Sequence, residues 1–199
     1  MATRNFHPVA VDIIQHEHEH LSAVIQGMLY FVRGIEKGEP APDLKVFRAM
    51  LYYISEYPEK VHHPKEEQFL FSKIKERTHQ LDTELDELTA QHTKGELLAH
   101  QLQDALLRYE FNGDPAFAHF HALVEQYGRF YYSHMSAEEK SIIPIAKQVL
   151  NINDWQEIDQ AFIENRKHLD DAGERYRYEQ LFSMIVNISP APVGIADPL

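Results

Sequence analysis

The 199-residue sequence contains no cysteine. That absence removes disulfide frameworks, thiolate zinc sites, Cys-ligated iron–sulfur clusters and cysteine nucleophiles together. Positive charge is in short supply as well. Lys and Arg number 19 against 31 Asp and Glu, a formal net charge of −12, which argues against nucleic acid or an anionic membrane surface as partner. No apolar run reaches membrane-spanning length, and the N-terminal MATRNFHPVA lacks an apolar h-region. The expectation is therefore no membrane insertion, no secretion and a cytoplasmic protein. Glycine is scarce, at 8, and strand-like alternation is hard to find, so the chain reads as mostly helical. Against these deficits stands one excess, 13 His beside 5 Met and 1 Trp. Metal or acid–base chemistry here must use nitrogen and oxygen.

Breakers divide the chain into four long segments. The first runs from about Pro8 to Glu36 and ends at Lys37-Gly38-Glu39-Pro40. The second opens at Asp43, a good N-cap, and continues to about Arg77. The third spans about Gln80 to Glu110 and stops at Asn112-Gly113. The fourth starts with Asp114-Pro115, an N-cap followed by an N1 proline, and reaches about Leu150. Short connections between segments of this length predict antiparallel neighbours, hence an all-α, up-down-up-down four-helix bundle over residues 1–150. Additional C-terminal helices are expected over 151–188, the first starting after Asp154 with Glu157 as its capping partner. An irregular tail over 189–199 follows Ser189-Pro190. Pro58 and Pro64 inside the second segment predict a kink or a break.

Position separates the histidines. The apolar seam of the first helix is Val11, Ile14, His18, Leu21, Ile25, Met28, Val32, so His18 occupies a core position while His16 and His20 point away. The third helix repeats this with Leu85, Leu88, His92, Gly95, Ala99 and Leu102. The seam of the fourth is Phe120, Val124, Tyr127, Tyr131, His134, Glu138, Ile142, with two polar residues one turn apart. The second offers Phe47, Leu51, Ile54, then His62, Glu66 and Phe69. His62 lies 44 residues after His18, and His134 lies 42 after His92, and both are followed by Glu at i+4. Each half thus supplies one helix with a lone His and one with His-x-x-x-Glu.

An i,i+4 pair lies on one helical face about 6 Å apart along the axis. A histidine and a carboxylate so placed can both reach a metal inside the bundle, as in di-iron bundles that use Glu and Glu-x-x-His helices. If Glu66 and Glu138 each bridge two metals, each metal receives two His nitrogens and two oxygens and keeps open positions for an oxo or hydroxo bridge and a small ligand. Iron, manganese and zinc all suit this donor set. A lone His on an apolar face is most often a core residue with a satisfied hydrogen bond. Two core-facing Glu are harder to explain so, because buried carboxylates are rare unless paired or metal-bound. A metal-free His–Glu network is the alternative. His7, His63, His79, His100, His119, His121 and His168 fall off the seams and read as solvated, as do the acidic pairs such as Glu17/Glu19.

The set His18, His62-x-x-x-Glu66, His92 and His134-x-x-x-Glu138 resembles the hemerythrin-like, HHE cation-binding proteins of bacteria. VHHPKEEQFLF and SHMSAEEKSIIPIA carry the resemblance, and NISPAPVG resembles the end of one proteobacterial subgroup. It covers about residues 9–195. It implies a four-helix bundle around two iron ions, oxo- or hydroxo-bridged, that binds dioxygen or nitric oxide, with some relatives repairing damaged iron centres. The oxygen carriers of the family have a further His one turn after the third-helix ligand, where this chain has Glu96, a candidate seventh ligand. They also have Asp where Glu138 stands. These departures turn the reading from reversible oxygen carriage toward redox or nitric oxide chemistry.

The expected function is accordingly a non-haem di-iron protein binding or sensing a small diatomic ligand, dioxygen or nitric oxide. A redox enzyme of iron-centre repair or of peroxidase or oxidase type is the alternative, and so is a structural zinc- or manganese-binding bundle. The last two helices either cap the bundle or form a homodimer contact.

Overall fold

The computed structural model describes residues 7–172 and 174–195, and their side chains except those of 165–177. The expected limits of the bundle at 1–6 and of the tail at 196–199, and the solvated reading of His168, lie outside the described residues. The elements are all helices: α1 (Val9–Glu36), α2 (Leu44–Tyr57), α3 (His63–Lys65), α4 (Ser72–Arg77), α5 (Asp82–Asn112), α6 (Asp114–Ala137), α7 (Ile143–Val149), α8 (Ile152–Ala172) and α9 (Glu174–Ile188). Among the described residues no helix is long and apolar enough to cross a membrane.

Asp43 caps α2, its carboxylate accepting from the Lys45 amide at 2.9 Å. The α5–α6 junction turns at Gly113, whose φ of +65° few side chains tolerate. α8 begins three residues before the expected point. Asn151 accepts from the amides of Asn153 and Asp154, and Asp154 in turn accepts from the Asn151 amide. Asp154 is thus the inner half of this capping box, and it also receives two hydrogen bonds from the Arg77 guanidinium, which ties α4 to α8.

The prolines do not break the second segment, which stays helical from Leu44 to Arg77 by way of two π-helical stretches, Pro58–His62 and Glu66–Phe71. In an α-helix the Pro64 ring would collide with the carbonyl four residues back. The turn widens instead, and the His63 amide donates to Pro58 O, five residues back. The same device recurs at Pro144, where the preceding Ile143 amide donates to Glu138 O and closes the π segment Glu138–Ile142. The widening also resets the phase. Ile54 and His62 would diverge by about 80° on a regular helix, whereas one inserted residue returns both to the interior.

α1 packs on α2 and α6, and α5 on the same two, which closes a ring of four. α8 lies on α1, and α9 on α2. The interior holds two apolar clusters. One gathers Leu21, Ile25 and Met28 with Phe47, Ile54, Leu102, Phe120 and Tyr127. The other gathers Val11, Ile14, Ile74, Leu85, Leu88 and Ile142 with Trp155 and Phe162 of α8. Between them, at the level of His18 and His92, the seams turn polar. Phe47 is the hub of the first cluster, meeting Phe31 and Phe120 edge to face at 6.0 and 5.2 Å. Phe47→Ala is expected to destabilise the fold by about 3–5 kcal/mol, read as a lower urea midpoint.

Candidate metal centre

The polar layer brings together six side chains, His18 from α1, His62 and Glu66 from the second segment, His92 from α5, His134 from α6 and Glu138 from the π turn that follows it. None is more than 4% exposed. They form two like pairs of imidazoles. The rings of His18 and His62 lie 4.9 Å apart at 67°, and those of His92 and His134 lie 4.9 Å apart at 74°. The carboxylates span the pairs. Glu66 reaches His62 Nε2 at 3.5 Å with one oxygen and His92 Nε2 at 3.7 Å with the other. Glu138 reaches His18 Nε2 at 3.2 Å with one oxygen and His134 Nε2 at 3.2 Å with the other.

All four imidazoles are held from behind. Nδ1 of His18 meets Glu139 at 2.8 Å, of His62 Glu17 at 2.8 Å, of His92 Glu67 at 2.6 Å and of His134 Gln91 at 3.0 Å. An oxygen at Nδ1 holds the proton there and leaves the Nε2 lone pair facing inward, the orientation that metal-ligating histidines adopt. The partners follow the two-fold repeat. The second Glu of each Glu-Glu doublet holds the lone His of another helix, and the residue before each lone His holds the His of a His-x-x-x-Glu pair.

Inside this shell His18 Nε2 and His62 Nε2 stand 3.1 Å apart, and the remaining polar atoms lack hydrogen-bond partners. Both oxygens of Glu66, both of Glu138 and Nε2 of His92 and of His134 are buried without one. Burial, together with the neighbouring Glu138 charge, pushes the Glu66 carboxyl well above the usual range. Burial would raise Glu138 too, but the His134, His18 and His92 rings carry it well below. Burial disfavours charge on every ring. It takes His134 down to about 4 and lowers His62 despite Glu17, while Glu138 with Glu139 or Glu67 outweighs it at His18 and His92 and raises both. Convergent, desolvated lone pairs of this kind fit cations. Two groupings have the spacing of metal ligands, His18 with His62, Glu66 and Glu138, and His63 with His92 and His134.

Three readings need correction. His63 is not solvated but 3% exposed, stacked on His92 with ring centres 3.8 Å apart and planes 8° from parallel. The π turn before it explains this, since the inserted residue brings both His62 and His63 inward. Glu96, the candidate seventh ligand, is not brought to the cluster. It is 54% exposed and faces His100, because at i+4 from His92 it falls beside Gly95, which carries the inward position. There a Cβ would collide with the Tyr131 hydroxyl. Glu17 is not on a solvated face either. It is buried between His62 Nδ1 and Lys65 Nζ, 2.8 Å from each, with Lys65 roofed by the Phe162 ring at 5.1 Å. The acid-to-lysine pair could have been sought from Lys65, a cation on the core side of His62-His63-Pro64-Lys65-Glu66. Glu67 and Glu139 were marked only by the doublets. His7, His16, His79, His100 and His119 are exposed, whereas His20 and His121 are half-buried against Phe182 and Phe117.

A helical bundle enclosing four imidazoles and two bridging carboxylates defines a cation-binding protein. The profile of the hemerythrin HHE cation binding domain matches residues 9–146, and the chain belongs to that family. None of the curated proteins matches the chain.

Glu17 supplies a test of the shell. Burial alone would raise its carboxyl, but His62 and Lys65 hold it down at about 2, below its ordinary 4.5. Its contribution to stability is therefore complete above pH 4.5 and is lost as the pH falls from 4.5 toward 2. Glu17→Gln lacks that contribution, so the metal-free variant should lose about 3 kcal/mol less over this interval than the parent, measured by urea midpoints at several pH values.

Proposed function

We propose that the chain is a non-haem di-iron protein that binds or senses a small diatomic ligand, dioxygen or nitric oxide. The observation that carries this reading is the pair of carboxylates, each with one oxygen toward the His18/His62 pair and the other toward His92/His134. Such a span suits two cations side by side, each held by two nitrogens and two oxygens. The resemblance to hemerythrin-like proteins favours iron over zinc or manganese. Bound iron would supply Lewis acidity, electrons and open positions for the ligand. The protein's own part is to present Nε2 lone pairs, fix them through Glu139, Glu17, Glu67 and Gln91, and exclude water with apolar clusters above and below. Residues 1–150 serve on this reading as the metal-binding unit, with 151–188 as a cover that brings Phe162 over Lys65, 189–199 as a tail, and the cytoplasm as the setting.

The test is metal analysis of protein produced in iron-replete cells. Two iron ions per chain are expected, with ligand-to-metal absorption that changes on exposure to dioxygen or nitric oxide. Colourless protein without a transition metal would falsify the reading. Glu66→Ala and Glu138→Ala should each lower iron content sharply. Chelation of the parent should lower the unfolding midpoint, since a ligand present at a hundred to a thousand times its Kd stabilises by about 3–4 kcal/mol, and a chelation-insensitive midpoint would favour a metal-free network.

A further inference from the structure

The centre is two-fold in its ligands but not in its surroundings. Glu17, His63 and Lys65 in the first half correspond to Gln91, Met135 and Ala137 in the second, so His63 has no counterpart. It is buried, and neither ring nitrogen has a hydrogen-bond partner. It differs from the four paired imidazoles in two ways. Its ring runs parallel to that of His92, so a cation in the His92 plane lies out of the His63 plane by nearly a stacking distance, and both cannot direct in-plane lone pairs at it. Its Nδ1 stands 3.4 Å from Glu59 Oε1, too far for the charge-assisted bond that fixes the proton on the other rings. The proton is thereby free to reside on Nε2. One of its ring nitrogens nevertheless lies within 4.8 Å of ligand nitrogens on His92 and His134.

We propose that His63 is not a ligand but a hydrogen-bond donor to a small anionic or electron-rich molecule held at the His92/His134 side of the centre, which makes that side the ligand-binding one. The inference rests on the di-iron reading and deepens it. Placement supports the role. A ring held by stacking on a ligand pays little entropy to present its N–H, and in a site closed to water such a donor discriminates strongly for an acceptor.

The test uses the full-length ferric protein with azide as probe. His63→Phe keeps a ring against His92 and removes both nitrogens, and His63→Leu serves if the larger ring does not fit. Iron content should stay that of the parent while the azide Kd rises about tenfold or more, as expected for a lost hydrogen bond to an anion. The symmetry-related Met135→Leu should leave the Kd unchanged. An unchanged Kd in the His63 variants overturns the proposal, as does an equal loss in Met135→Leu. A fall in iron content also overturns it, because His63 would then be a ligand. Parent protein that holds iron but not azide removes the open position and overturns it too. Parent protein that holds no iron sinks the di-iron reading itself.

Discussion

Everything in this bundle is arranged around one electrostatic constraint: two carboxylates and four imidazoles are buried with their free lone pairs aimed at one another. Desolvating such groups costs several kcal/mol each unless a partner compensates. Within the layer the protein offers two partial cancellations: Glu66 is kept neutral beside an ionised Glu138, and that carboxylate favours charge on the His18 and His92 rings. Six inward atoms still stand without a hydrogen bond, and cations held by the imidazole pairs and the two carboxylates would satisfy them. The same groups that burden an empty bundle would hold a loaded one together, which would make metal binding and folding stability two views of a single free energy.

The outer shell shows how the sequence manages the burden. Lone pairs can face inward only if each imidazole carries its proton outward, and four oxygens accept those protons. Three belong to carboxylates and one to Gln91, so the rings are not equally basic. His62, backed by the Glu17–Lys65 pair, and His134, backed by a neutral amide, occupy equivalent positions with different acceptors behind them. The two halves of the site are thus chemically distinct in the groups that back their imidazoles.

Much of this was legible in the sequence. Seams of period 3.6 located His18, His92 and His134 on core faces because α1, α5 and α6 are regular over those stretches, and Glu138 follows directly at the first residue of the π turn. The second segment was harder to read because its phase changes at Pro58–His62. A period-counting argument assumes one rotation per residue, and a π turn breaks that assumption without interrupting the helix. His63 was misplaced for that reason. Glu17 was misplaced for another. Side chains next to a core position are half-turned toward the neighbouring helix, and whether they end in solvent or against a partner depends on what that helix presents. Lys65 and His62 decide it for Glu17, and no local pattern in α1 announces them.

The π turns also explain why prolines sit so close to the centre. A helix that must deliver His62 and Glu66 inward after an incompatible run of core residues needs one extra residue, and an extra residue in an α-helix loosens its hydrogen-bond ladder. Proline removes the competing α-helical alternative, since Pro64 and Pro144 have no N–H to return to the carbonyl four residues back. The strain of the wider turn is thus offset by the absence of anything better. The consequence reaches the chemistry. The rotation that carries His62 into place carries His63 in with it, and Met135, which occupies the equivalent position in α6 before its own π turn begins, supplies no nitrogen. Both halves open a π turn at the Glu of the His-x-x-x-Glu pair, and His63 and Met135 are both buried, so the asymmetry of the centre lies in an imidazole at 63 against a thioether at 135.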